Sequence, residues 1–353
     1  MKIPHYSKIH NRFKINGHHY DQGDLTHAAY SFIKEGESFE EVIGVFLLDW
    51  LDTSETIEVQ TSGSTGNPKK IKLAKQAMVN SAVRTGEYFD LKVGAKALHC
   101  LPVNYIAGKM MLVRAMILGL DLYVVEPKIN LEWPQSSFDF CAMIPLQAKS
   151  ALSNLAAIKT LLIGGAPISS SLRTALLEVP TNVFETYGMT ETITHIAVAS
   201  IQESTATFEV LPDIQITADQ DDCLVINAPH LSQESIHTQD IVALQGKGAF
   251  QLMGRKNNVI NSAGKKFFPE QLEKQLVSLE FPFFFAGISD SELGQKLVLV
   301  VESSSLKENE IKEFILADLG PETNRHVKEI YTLEAFYYTP TGKIDRPSTI
   351  ALI

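Results

Sequence analysis

The chain has 353 residues, 45% hydrophobic and 20% charged, a composition that excludes collagen-like, coiled-coil and disordered classes and, at roughly 100–200 residues per domain, predicts two domains. Its formal charge of −10 excludes a nucleic-acid binder working through a broad basic surface, and leaves room for a local basic site facing a small anion. The cysteines Cys100, Cys141 and Cys223 are odd in number and far apart, as in a reduced cytoplasmic chain rather than a disulfide or metal framework.

The start of the chain carries no apolar targeting segment. Residues 39–50 space their apolar side chains as a helix does. Residues 57–60 predict a short strand that runs into a Gly-, Ser- and Thr-rich loop. A strand over 69–73 and a helix over 76–88 follow, then a strand at 97–101, a helix at 108–118 and strands at 121–125 and 160–163. The most apolar run, 110–125, is broken by Arg114 and Asp121 and is too short to span a bilayer, so no membrane insertion is expected. This alternation predicts the α/β class: a large N-terminal domain of mostly parallel sheets with flanking helices, its ligand loops at the carboxyl ends of the strands. From Thr207 the texture turns to short strand pieces at 208–210, 214–217, 223–227 and 250–253. Beyond the polar segment 254–266 come a helix at 269–279, strands at 283–288 and 297–301, a helix at 308–319 and a polar tail. The expected division is therefore 1–254 against a small α+β domain, 255–353.

Two strings carry the chemistry. Thr61-Ser62-Gly63-Ser64-Thr65-Gly66-Asn67-Pro68-Lys69 offers hydroxyls, pliable backbone N–H groups and a cation to phosphate oxygens. It is neither a Walker A loop nor a dinucleotide fingerprint, because Pro68 and the missing third glycine break those spacings. Thr186-Tyr187-Gly188-Met189-Thr190-Glu191-Thr192 adds a carboxylate suited to Mg²⁺ beside a polyphosphate and an aromatic face for a purine. By themselves a Ser/Gly turn and a helix start explain such strings; their combination in an acidic chain does not need to be so bland. Histidine spacing suggests no metal site, and no nucleophile triad stands out.

In order, these strings together with Asp240, Gly254-Arg255, residues 259–273 and Pro340-Thr341-Gly342-Lys343-Ile344-Asp345-Arg346 resemble the adenylate-forming superfamily of acyl-CoA synthetases, adenylation domains and luciferases. The resemblance covers residues 57–346, and its Tyr187 to Thr192 string is most similar to the o-succinylbenzoate-CoA ligases of menaquinone biosynthesis. It implies ATP, Mg²⁺ and CoA as cofactor and co-substrates, with a carboxylic acid activated as an acyl-adenylate and passed to CoA. It implies that Thr61, Ser62, Gly63, Ser64, Thr65, Gly66 and Lys69 hold the β- and γ-phosphates. Gly164, Gly165 and Ala166 would line the adenine, with Tyr187 and Gly188 beside it. Thr190 would touch the α-phosphate, Glu191 hold Mg²⁺, Asp240 accept the ribose hydroxyls, and Arg255 add a second ribose or phosphate contact. Lys343 would be the catalytic lysine, a fixed ammonium stabilising the charge of the phosphoryl transition state. Tyr105, Gly188 and His195 would border the acid, and Ser262, Gly264 and Lys265 the CoA.

The chain departs from the family's pattern at Asn257, where the hinge Asp usually stands, at Ala263 in a usual Ser-Gly-Gly string, and at Tyr105 in place of a His. It also looks shortened on the N-terminal side relative to the family. Two other readings stay open: an adenylating enzyme that loads a carrier protein, and a nucleotide-binding protein without turnover, against which Lys343, Glu191 and Asp240 together argue. A homodimer is left open as well.

Overall fold

The computed structural model describes residues 3–60, 70–134, 136–202, 206–338 and 344–353. β1 (Lys14–Ile15) and β2 (His18–His19) precede two helices, α1 (Gln22–Glu35) and α2 (Ser38–Leu51). α1 starts at Asp21, whose carboxylate accepts from the Asp24 backbone N–H in a capping box. Its buried face is only Leu25 and Ala29, so periodicity does not announce it. α2 buries Ile43, Phe46, Leu47 and Trp50, the stripe that its sequence shows. β3 (Thr56–Gln60) and β4 (Lys70–Ala74) pair antiparallel, with Gln60 opposite Lys70. The phosphate-loop string between them, Thr61 to Lys69, lies outside the described residues.

Next come α3 (Lys75–Tyr88), β5 (Lys96–His99), α4 (Ile106–Leu118), β6 (Asp121–Val124) and β7 (Phe138–Met143). α5 (Pro145–Ser150), β8 (Ile158–Ile163), α6 (Ser170–Leu177) and β9 (Asn182–Gly188) continue the alternation. Helical crossovers return the chain to the same end of the sheet, so β9, β8, β7, β5, β6 and β1 run parallel in that spatial order. β10 (His195–Ser200), β11 (Thr207–Val210), β12 (Gln215–Ala218), β13 (Cys223–Asn227), β14 (Ile236–Leu244) and β15 (Ala249–Arg255) follow with hairpin-like connections. They extend the same sheet antiparallel in the order β12-β13-β14-β15-β11-β10, joining at β9, to 13 strands among the described residues. The α/β expectation holds, and the turn-rich texture after Thr207 becomes the antiparallel half.

The parallel half is covered on both faces. Ala97, Phe140 and Leu162 pack with α3 and α4, while Leu98, Cys141 and Leu161 pack with Leu172 and Leu176 of α6. A separate core built on Phe208, Leu224, Ile226 and Phe250 fills the antiparallel half.

β16 (Ile260–Ser262), the first strand of a second sheet, begins shortly after β15 ends at Arg255. With it come β17 (Lys265–Phe267), α7 (Pro269–Gln275), β18 (Phe283–Asp290), β19 (Gly294–Glu302), α8 (Glu308–His326), β20 (Val327–Leu333) and α9 (Arg346–Ile350). The sheet runs β17-β16-β19-β18, with β20 parallel on β19. α7 stops at Gln275, short of the predicted 279, and Ser278 instead donates its backbone N–H and hydroxyl to Asp318. α8 is interrupted at Gly320 (φ 73°), followed by Pro321, so its first segment is the predicted 308–319. Packing of Phe285, Leu297 and Leu299 with Ile311 and Ile315 gives this part its own core.

Candidate functional site

The parallel strands end where ligands are expected, and glycines shape that rim. Gly164 follows β8; a Cβ there would sit 2.3 Å from the Thr186 hydroxyl oxygen of β9. Gly165 has φ +84°, a left-handed conformation that glycine adopts without penalty. Gly188 ends β9 opposite His195, and a Cβ there would lie 2.3 Å from the Thr194 carbonyl oxygen. Ala166 is half-buried beside this rim.

Tyr187 and the β14–β15 hairpin meet in one polar group. Asp240 and Arg255 are register partners, with Arg255 Nε 3.1 Å from Asp240 Oδ1. The Tyr187 hydroxyl donates to Asp240 Oδ2 at 2.6 Å, and the ring packs on Phe208 and edge-on to Phe250. Burial, reinforced by the Asp240 charge, pushes the Tyr187 phenol well above its ordinary pKa, so it stays a neutral donor that orients the carboxylate. Tyr187 is 8% exposed, which leaves little ring face for a purine.

The turn from β9 to β10 is tied internally. Thr192, fully buried, accepts from the Met189 backbone N–H and has its single hydroxyl proton within reach of the carbonyl oxygens of both Met189 and Thr194. Ile193 is held at φ +66°, a left-handed conformation that is a true outlier for a β-branched residue. Thr190 is half-buried and Glu191 exposed at the outer side of this turn. Glu191 has no ion pair among the described residues, and its hard oxygens suit a Mg²⁺ ion that keeps waters and phosphate oxygens as its other ligands.

One residue of the site is legible in the sequence only as an interruption. Arg114, which breaks the apolar run of α4, is 3% exposed. Its Nη2 donates to Thr194 Oγ1 at 2.6 Å and its Nη1 to Met111 Sδ at 3.6 Å, while Nε has no partner among the described residues. No carboxylate pairs with it among the described residues, and burial pulls its pKa down to about 10. His195 shares Thr194 Oγ1 through Nδ1 at 3.2 Å. Its Nε2 is unpartnered among the described residues, and burial together with the nearby Arg114 holds the ring well below its ordinary pKa. A buried guanidinium without a counter-anion is costly.

Other predicted residues lie apart from this group. Tyr105 stands half-buried at the N-cap of α4, above Gly108, whose Cβ would meet the Pro102 carbonyl oxygen at 2.3 Å. Ser262, Ala263, Gly264 and Lys265 form the tight turn between β16 and β17, with φ +51° at Ala263 and +80° at Gly264. Lys265 is engaged by Glu322 at 2.8 Å. Asn257 is exposed in the short helical turn Lys256–Asn258 that connects the two sheets. Around it, Asn258 donates to Glu270, and Gln271 donates to the carbonyl oxygens of Leu252 and Met253. Ser170 of α6 donates to the Lys274 carbonyl oxygen at 3.1 Å. Lys343 lies outside the described residues; the chain on either side is joined by a bridge between Tyr338 and Ile344.

The pattern of the AMP-binding enzyme family matches residues 59–216. An acyl-CoA synthetase (AMP-forming)/AMP-acid ligase II-like protein from Dyadobacter fermentans is 35% identical, with a TM-score of 0.59 over 90% of this chain and 95% of that one. The chain belongs to the AMP-binding enzyme family. Among curated members, a 2-succinylbenzoate–CoA ligase of Bacillus cereus is 25% identical over 75% of this AMP-binding chain and 63% of its own length. This chain spans 62 to 64% of the length of such relatives. It shares its fold with the o-succinylbenzoate-CoA synthetase of Bacillus subtilis in complex with ATP and magnesium ion, at TM-score 0.72 and 18% identity over 83% of this chain and 69% of that one. No helix among the described residues of this AMP-binding enzyme is long and apolar enough to cross a membrane.

Proposed function

We propose that this AMP-binding enzyme joins o-succinylbenzoate to CoA at the expense of ATP, with release of AMP and pyrophosphate. In the first half reaction a carboxylate oxygen of the acid attacks the α-phosphorus, and the bond to the pyrophosphate oxygen breaks. In the second, the CoA thiolate attacks the acyl carbon and AMP leaves; the thiol proton goes to solvent. Mg²⁺ held by Glu191 would neutralise the phosphate charge. Thr190 would face the α-phosphate, and Asp240, oriented by Tyr187 and accompanied by Arg255, would accept the ribose hydroxyls. Lys343 would supply the fixed ammonium of the adenylation step, and Ser262, Gly264 and Lys265 would border the CoA. The division at 254/255, with its hinge at Asn257, belongs to the same reading: thioester formation needs the second part of the chain to turn. Buried free thiols at Cys100, Cys141 and Cys223 fit a reducing cytoplasm.

The observation that carries the choice of acid is Arg114. One carboxylate of o-succinylbenzoate is consumed at the phosphorus. The other requires a cation, and Arg114 is a buried one without a carboxylate partner among the described residues, joined through Thr194 to the strand end that pairs with Gly188. ATP- and CoA-dependent thioester formation from o-succinylbenzoate, benzoate, succinate and fatty acids, read by mass, tests the reading. It predicts a clear preference for o-succinylbenzoate that Arg114→Leu abolishes. Equal rates on benzoate refute the acid, and adenylate formation without CoA consumption points to a carrier protein as acceptor.

A further inference from the structure

A second buried polar side chain lies in the same layer as Arg114 and has no role in what precedes. His99 is 1% exposed, and neither of its ring nitrogens has a partner among the described residues. Native interiors rarely leave both nitrogens of an imidazole unmatched. His99 is the last residue of β5, in register with Val124 of β6 and Ala142 of β7, at the carboxyl ends of the parallel strands. Alternate residues of a strand face opposite sides. Ala97 belongs to the cluster shared with α4, whereas Leu98 and Cys100 belong to the opposite one, so His99 faces α4, the helix that carries Arg114.

The row containing His99 continues through Ala142, Leu162 and Phe184, paired strand by strand. At its far end Phe89 lies 5.2 Å from Phe184 and 6.2 Å from His195. The next step along β8 is the Gly164 rim. His99, Arg114 and His195 thus supply unmatched polar atoms to the largely apolar layer between the sheet and α4. Burial keeps the His99 ring neutral, with a pKa lowered to about 4, so at neutral pH it offers one N–H and one lone pair. The turn that borders the layer holds Ile193 in its strained conformation, the kind of strain found at segments that shift on binding.

Resting on the reading of an acid anchored by Arg114, we propose that His99 is a specificity-determining residue whose ring N–H donates to the ketone oxygen of the acid, selecting keto acids over their methylene counterparts. Arg114 then reads the second carboxylate, and His99 reads the carbonyl between the ring and the reacting chain.

Four acids separate the two roles by acid-dependent ATP–pyrophosphate exchange: o-succinylbenzoate, 4-(2-carboxyphenyl)butanoate, which lacks the ketone, 4-oxo-4-phenylbutanoate, which lacks the ring carboxylate, and 4-phenylbutanoate, which lacks both. The unmodified enzyme is expected to prefer each ketone over its methylene partner by about 10- to 100-fold in kcat/KM, the usual effect of leaving a buried donor unmatched. His99→Leu should erase that preference while keeping the preference for the ring carboxylate and the KM for ATP, with a melting temperature at or above that of the unmodified chain. His99→Gln, which keeps an N–H donor, should restore part of the ketone preference. Absence of a ketone preference in the unmodified enzyme, or its persistence in His99→Leu, overturns the proposal. A missing ring-carboxylate preference refutes the Arg114 reading alone and leaves the ketone comparison readable; no exchange with any of the four acids overturns both.

Discussion

At the scale of single residues, two backbone positions and one imidazole make measurable demands. Ala263 sits at φ +51° in the two-residue turn between β16 and β17, where its neighbour Gly264 is at +80°. An L-residue in that region costs on the order of 1–2 kcal/mol, so Ala263→Gly is expected to stabilise the chain by about 1 kcal/mol in urea unfolding, a little less than the strain because glycine gains freedom when unfolded. Gly188 has the opposite constraint. Because a Cβ at this position would stand 2.3 Å from the Thr194 carbonyl oxygen, Gly188→Ala must push β10 away, costing about 1–3 kcal/mol and reducing acid-dependent pyrophosphate exchange. His99 makes stability depend on pH. Its folded-state pKa of about 4 lies below the ordinary value near 6.5, so below pH 6.5 the unfolded chain takes up a proton that the folded chain refuses. Stability from this group is complete above pH 6.5 and is lost as pH falls toward 4, about 2 kcal/mol by pH 5. Urea unfolding at pH 7 and pH 5 should show a smaller difference for His99→Leu than for the unmodified chain.

At the scale of elements, the site is assembled from strand ends, and the tail is fastened by one ion pair. Arg346 at the start of α9 reaches Glu273 of α7 at 2.7 Å and lies over the Phe284 ring, while the Phe285 backbone N–H donates to the other Glu273 oxygen. Burial raises the Glu273 pKa despite Arg346, so the carboxylate depends on these partners. Arg346→Ala should speed backbone hydrogen exchange in 344–353 and around Glu273, leaving the parallel strands as protected as before. Legibility from sequence follows from the same physics. α2, α3 and α4 are readable because one face or the whole helix is apolar, and α4 also ends at a left-handed glycine, Gly119. β9 and β14 are not, since Thr186 in β9 and the buried Thr238 and Asp240 in β14 put polar residues among the apolar ones and blur the alternation. Arg114 is visible only as a flaw in an apolar run; its meaning depends on Thr194, eighty positions away, which no local pattern connects to it. Tyr187, Asp240 and Arg255 stand separately in the sequence, and only the β14–β15 register and the Tyr187 hydroxyl bond join them.

At the scale of the molecule, one short connection separates the two larger sheets, and Arg255 is its first neighbour. β15 ends at Arg255, the turn Lys256–Asn258 follows, and α7 comes back to bond β15 through Gln271. Asn257→Pro is expected to impair thioester formation more than pyrophosphate exchange, because a stiffened connection allows the orientation of one half reaction and hinders that of the other. Equal loss in both would contradict a hinge at this position. A change of texture at 254–266 is plain in the sequence, whereas the contacts made across it, such as Ser170 with the Lys274 carbonyl oxygen, come from positions with no shared pattern.

The width of the large sheet has a further consequence for how the protein behaves in concentrated solution. A ladder this broad exposes two edges, and an open edge is a template for pairing with another chain. Here one edge is β2, two residues long and made of the exposed His18 and His19, and the other is β12, four residues with a single buried side chain, Ile216. Both are too short to recruit a neighbour's strand. Lengthening β2 with alternating Val and Thr would remove that protection, and light scattering on a warmed sample should then report aggregation that the natural edge suppresses.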